Sequence, residues 1–137
     1  MGDSEDILLI DDDPDMHTAV RLMLEPMGYR VRCCLTGPAG LAAAHEIRPA
    51  LLLLDVMLSS PSEGFHVAYD FRSDEQLAHV PIVMISAIGD ATGIDFAREA
   101  GSAYLPVERF LSKPIDAATL RRTVDDVLHG AAARAMP

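Results

Sequence analysis

A doubly wound α/β sheet is the fold this sequence predicts, and three observations predict it. Strand-length runs recur five times, each trailed by a stretch with helical spacing. The central run, Leu51-Leu52-Leu53-Leu54, has no polar alternation, so it is buried on both faces as a parallel strand between two helical layers is. Carboxylates stand at the ends of two of these runs, where open sheets of this class bind ligands.

Ile7 to Ile10 is the first strand, stopped by Asp11-Asp12-Asp13 and Pro14. Asp13 is the predicted N-cap of a helix whose first residue is Pro14, since proline tolerates a position whose N–H has no partner. That helix is expected to bury Met16, Ala19, Val20, Met23 and Met27 and to stop near Gly28. Tyr29 to Leu35 is a second strand; its alternating arginines suit a sheet edge. A small-residue helix runs from Thr36 to Ile47, ahead of Pro49, and the Leu51 strand follows. A loop over 58–63 leads to a helix over 64–77, then a buried strand from Val80 to Ser86. A helix over 90–100, a short strand Phe110 to Ser112 and a helix over 116–128 complete the order, with Leu120, Val124, Val127 and Leu128 facing inward. Residues 131–137 read as a frayed tail. In the flavodoxin-like order 2-1-3-4-5, with right-handed crossovers, the chain changes direction between strands 1 and 3. Asp11, Asp12 and Asp55 therefore converge on one crevice.

The 137 residues are read as a single domain with its core over about 5–130, half of them apolar and without the roughly 20-residue run that spans a bilayer. With an acidic N-terminus unlike a signal peptide, the expected location is the cytoplasm, away from membranes. A net charge of −10 and no basic cluster larger than Arg121-Arg122 argue against direct nucleic-acid binding. Cys33 and Cys34 are adjacent in a strand, point to opposite faces and pack in the core rather than pairing. Among eleven basic residues ten are arginine, which singles out Lys113.

Three carboxylates in one crevice repel; at about 4 Å and an effective dielectric near 20 each pair costs about 4 kcal/mol. A hard divalent cation such as Mg²⁺ (or Mn²⁺) relieves this through oxygen ligands. Ser86 ends the fourth strand with a hydroxyl and Lys113 follows the fifth with an ammonium group. Metal, hydroxyl and ammonium around one carboxylate form a clamp for phosphoryl oxygens, with that carboxylate as nucleophile. Each feature has an ordinary alternative: a solvated helix N-terminus, a turn serine, a surface lysine. Four of them at the ends of four strands are specific together.

Leu9-Ile10-Asp11-Asp12, Leu54-Asp55-Val56-Met57, Ile85-Ser86-Ala87 and Lys113-Pro114 resemble the motifs of the receiver domain of two-component response regulators, the CheY-like family, over about residues 5–130. The resemblance implies that Asp55 accepts a phosphoryl group from a sensor histidine kinase or a histidine phosphotransfer protein. It implies that Asp12 binds Mg²⁺ directly, Asp11 largely through water, and Met57 through its carbonyl, with Ser86 and Lys113 on the phosphoryl oxygens. A cis Lys113-Pro114 peptide is expected. The switch aromatic three residues before the lysine is Phe110, with Tyr104 the alternative because extra residues fall within 102–109. The signal then passes to a downstream protein, or to a second copy, through the face formed by the fourth helix, fifth strand and fifth helix. Beyond its own phosphorylation and dephosphorylation, such a chain is no enzyme.

The loop after Asp55 departs from the family pattern, with Ser59 and Glu63 where proline and glycine are usual. Two other readings compete. A haloacid-dehalogenase-type phosphohydrolase wants a second acid two residues after its nucleophile, where this chain has Met57. A pseudo-receiver acting only as an interaction module would not need the full set of acids, hydroxyl and lysine.

Overall fold

The computed structural model describes residues 5–55, 63–86 and 107–130. Met57, Tyr104, the loop before 63, the predicted helix over 90–100 and the 131–137 tail lie outside the described residues. Strands β1 (Asp6–Ile10), β2 (Arg30–Cys34), β3 (Leu51–Asp55), β4 (Ile82–Ser86) and β5 (Arg109–Ser112) form one parallel sheet. Their order is β2-β1-β3-β4-β5, the order the sequence predicts, and β2 is an edge. Among the described residues the α-helices are α1 (Pro14–Leu24), α2 (Gly37–Glu46), α3 (Glu63–Ser73) and α4 (Ala117–Asp125).

Strand alternation sorts the apolar residues into two layers. Leu8, Ile10, Leu52, Leu54, Ile82 and Met84 pack with Ala44 of α2 and Phe65 and Phe71 of α3. Ile7, Leu9, Leu51, Leu53, Val83 and Ile85 pack with Val20 and Leu24 of α1 and Leu120 and Val124 of α4. Cys34 joins the first layer and Cys33 the second, as adjacent strand residues must. Both thiols are free, and burial pushes both up from the usual thiol range.

Local structure departs from the sequence expectation at three places. Met27, expected inside, is 42% exposed, while Leu24 is fully buried. The α-helix ends at Leu24 and tightens into a 3₁₀ turn over Glu25–Met27, whose shorter period rotates Met27 off the core-facing stripe. Helix α3 ends at Ser73 rather than at Leu77. There the Ser73 hydroxyl donates to the Tyr69 carbonyl and the Asp74 carboxylate accepts the Gln76 N–H, local bonds that compete with further helix. Leu77 reaches the core from the turn instead. The last α-helix ends at Asp125, and a π-helical turn, Asp126–Gly130, carries Val127 and Leu128 to partly buried positions. Its N-cap Asp116 accepts from the Thr119 N–H and hydroxyl, which hold its carboxyl below the usual range. That cap contributes fully above the unfolded-state pKa and is lost as pH falls through the depressed folded-state value.

Arg32 is more than an edge-guarding charge. Its guanidinium pairs with Asp6 on β1 at 3.0 Å and donates to the Ala43 and Ile47 carbonyls at 2.9 and 2.6 Å, closing the C-terminal end of α2. Helix α2 also approaches β1 very closely. A Cβ added at Gly40 would lie 2.1 Å from Ile10 Cδ1 and 2.5 Å from Cγ1. Ile10 is fully buried and precedes Asp11 directly. Gly40→Ala is therefore expected to destabilise the chain by about 1–3 kcal/mol through overpacking. Urea unfolding checks this; an unchanged midpoint would mean that Ile10 rotates away at no cost.

Candidate functional site

Strand register brings the acids together. Ile10 pairs with Leu54, so Asp11 and Asp55 come next on adjacent strands, and Asp55 is itself level with Ile85. Ser86 pairs with Ser112, and the Lys113 N–H donates to the Ser86 carbonyl at 2.8 Å, so the lysine enters at the same sheet end. Asp11, Asp12 and Asp55 each offer a carboxylate oxygen within 4.8 Å of the others. Among the described residues this is the one cluster of metal-ligating side chains of that size.

Asp11 is fully buried and held on every side. Its N–H donates to the Cys34 carbonyl at 3.0 Å, and its Oδ1 accepts the Asp13 N–H at 2.9 Å. Its Oδ2 lies 3.2 Å from Lys113 Nζ, which is also 3.8 Å from Asp55 Oδ2. The Asp11 carbonyl is 2.7 Å from His17 Nε2. Asp55 and Ser86 are buried, while Asp12 is exposed. Asp13, third of the acidic run, caps α1 by accepting the Asp15 N–H at 2.9 Å, as expected, and Pro14 follows at the first helical position. The Lys113-Pro114 peptide is cis, again as expected.

Three carboxylates stand against one ammonium group, and two of the three, Asp11 and Asp55, are buried. Buried charge is costly unless paired. An all-oxygen donor set suits a hard divalent cation, so the residues present fit Mg²⁺ or Mn²⁺. Phe110 is level with Met84 in the sheet and packs, partly buried, in the α2/α3 layer. Ser86 lies two residues beyond Met84, on the same side by strand alternation. Val107, at the end of the apolar stretch that includes Tyr104, packs against that layer too.

Among the described residues no helix is long and apolar enough to cross a membrane. His17 is the site neighbour that sequence reasoning does not single out. Nothing in the spacing of a histidine on a first helical turn announces a bond to a carbonyl six residues back.

The chain is 35% identical to the DNA-binding dual master transcriptional regulator RpaA of Synechocystis over 125 residues, covering 85% of this chain and 49% of RpaA. It thus spans about half the length of that relative. The solved chemotaxis protein CheY4 of Vibrio cholerae is 25% identical with a TM-score of 0.78, covering 92% of this chain and 100% of CheY4. The receiver domain of the sensor histidine kinase PA1611 of Pseudomonas aeruginosa, solved with a magnesium ion in its active-site cleft, is 26% identical with a TM-score of 0.76 over 92% of this chain and 98% of that one. Residues 7–125 match the family model of the response regulator receiver domain. The chain belongs to that family, the CheY-like receivers of two-component systems.

Proposed function

We propose that this chain is a phosphoacceptor in a two-component phosphorelay, working in the cytoplasm and charged by a sensor histidine kinase or a histidine phosphotransfer protein. The observation that carries the reading is the convergence of three carboxylates within 4.8 Å on Lys113, 3.2 Å from Asp11 and 3.8 Å from Asp55. Asp11, Asp12 and Asp55, with the Met57 carbonyl, would hold Mg²⁺ or Mn²⁺. When bound, the cation neutralises the acids and the charge building on the transferring phosphoryl group. Asp55 supplies the nucleophile: an Asp55 oxygen–phosphorus bond forms as the donor's nitrogen–phosphorus bond breaks, and the donor imidazole leaves with a proton. Ser86 and Lys113 donate to the phosphoryl oxygens.

The test is incubation with acetyl phosphate and Mg²⁺ followed by intact-mass measurement. One phosphoryl increment per chain is expected, removed by alkali and absent when the metal is chelated. A chain that stays unlabelled at saturating donor and metal would sink the reading.

Output is proposed to pass through the face around β5 and the last helix to a downstream protein or a second copy. Phe110 is the proposed switch, since β5 sets its distance to Lys113 and it shares a side of the sheet with Ser86. Phosphorylation should shift association by about 5- to 150-fold, the usual size of such coupling. Phe110→Ala is expected to label normally and lose most of that shift, measured by sedimentation with and without beryllofluoride. Loss in Tyr104→Ala but not in Phe110→Ala would reassign the switch.

A further inference from the structure

We infer that His17 is a positioning residue for the cation site and acts on Asp12 through the peptide plane between Asp11 and Asp12. This rests on the reading of the acid cluster as a cation site. His17 is partly buried on the first turn of α1, with Nε2 2.7 Å from the Asp11 carbonyl oxygen. A carbonyl can only accept, so Nε2 carries the proton and donates. That carbonyl belongs to the same rigid unit as the Asp12 N–H, because the peptide bond is planar.

The other polar groups of Asp11 are already engaged by Cys34, Asp13 and Lys113. Asp11 would stay in place without His17. Asp12 is different: its carboxylate is exposed and, among the described residues, no hydrogen bond or ion pair holds it. Its direction comes from the backbone that carries it. Among the described residues the hydrogen bond from His17 is the one that grips the preceding peptide plane. The ring also forms one wall of a groove of about 430 Å³ beside Thr18, Arg21 and Leu35. Truncating it widens a surface groove rather than opening a cavity in either core layer, so variants at this position keep the fold.

Groups that orient metal ligands from behind typically change metal affinity by about 10- to 100-fold when removed, and the single bond here sets the expectation at about tenfold. The experiment is a double-mutant cycle on the full chain, with Mn²⁺ affinity read from the loss of the free-ion EPR signal. His17→Ala should bind Mn²⁺ about tenfold more weakly than the wild type, yet cost nothing further when added to Asp12→Ala. His17→Gln, whose side-chain N–H reaches a similar point, should restore the affinity to within about twofold of the wild type. An equal loss in both backgrounds overturns the inference, as does no loss in either or a Gln variant as weak as the Ala one. A wild-type chain that binds no Mn²⁺ would instead overturn the reading of the acid cluster, and this inference with it.

Discussion

Replacing Lys113 with alanine should lower the stability of the metal-free chain by about 3–5 kcal/mol, the cost of leaving a buried charge without its partner. Asp11 is fully buried, and Lys113 Nζ, 3.2 Å away, is the cation paired with it. The same ammonium lies 3.8 Å from Asp55, so its removal leaves two buried carboxylates and Asp12 facing each other. For a domain stable by about 5–15 kcal/mol, that is a large fraction of the total. A divalent cation neutralises the same charges, so Mg²⁺ should recover part of the loss. Urea unfolding of wild type and Lys113→Ala, with and without Mg²⁺, gives all four numbers. A loss below about 1 kcal/mol in the absence of metal would show that Asp11 is not held as a charged group by this lysine.

Asp55→Ala should abolish labelling by acetyl phosphate, because in the proposed reaction the Asp55 carboxylate supplies the acceptor oxygen. Its effect on stability should have the opposite sign to that of Lys113→Ala. At 4.8 Å, the outer limit of their separation, and an effective dielectric near 20, two carboxylates repel by about 3.5 kcal/mol, a floor for each acid pair that the lost attraction to Lys113 offsets in part. Asp12→Ala should reduce labelling through weaker metal binding. Asp13→Ala should leave labelling near the wild-type level, since its carboxylate caps α1 on the Asp15 N–H. Labelling of Asp55→Ala to wild-type stoichiometry would move the phosphoacceptor elsewhere. Equal effects at Asp12 and Asp13 would mean that the acidic run is read one position out of step.

Much of this protein is legible in one dimension because the forces concerned are local. Apolar runs mark β1 and β3 as buried strands, Pro14 and Asp13 mark the start of α1, and chain-crossing rules leave a handful of strand orders, the flavodoxin-like one observed among them. Once the order is known, Asp11 and Asp55 must be neighbours, and Ser86 and Lys113 must come in at the same end. Other features depend on distances that no local pattern encodes. Met27 is exposed because the preceding turn tightens, and α3 stops at Ser73 because side chains there satisfy the backbone locally. Arg32, which suits an edge strand by composition, reaches across to Asp6 and the end of α2 only once those elements have packed. The Lys113–Asp11 contact joins residues 102 apart, and His17 meets the Asp11 carbonyl only because the acidic turn folds back over the first turn of α1. The identities of the four chemical groups at the strand ends are written in the chain; which atom of each faces which neighbour is set by packing, where a shift of about one ångström makes or breaks a bond.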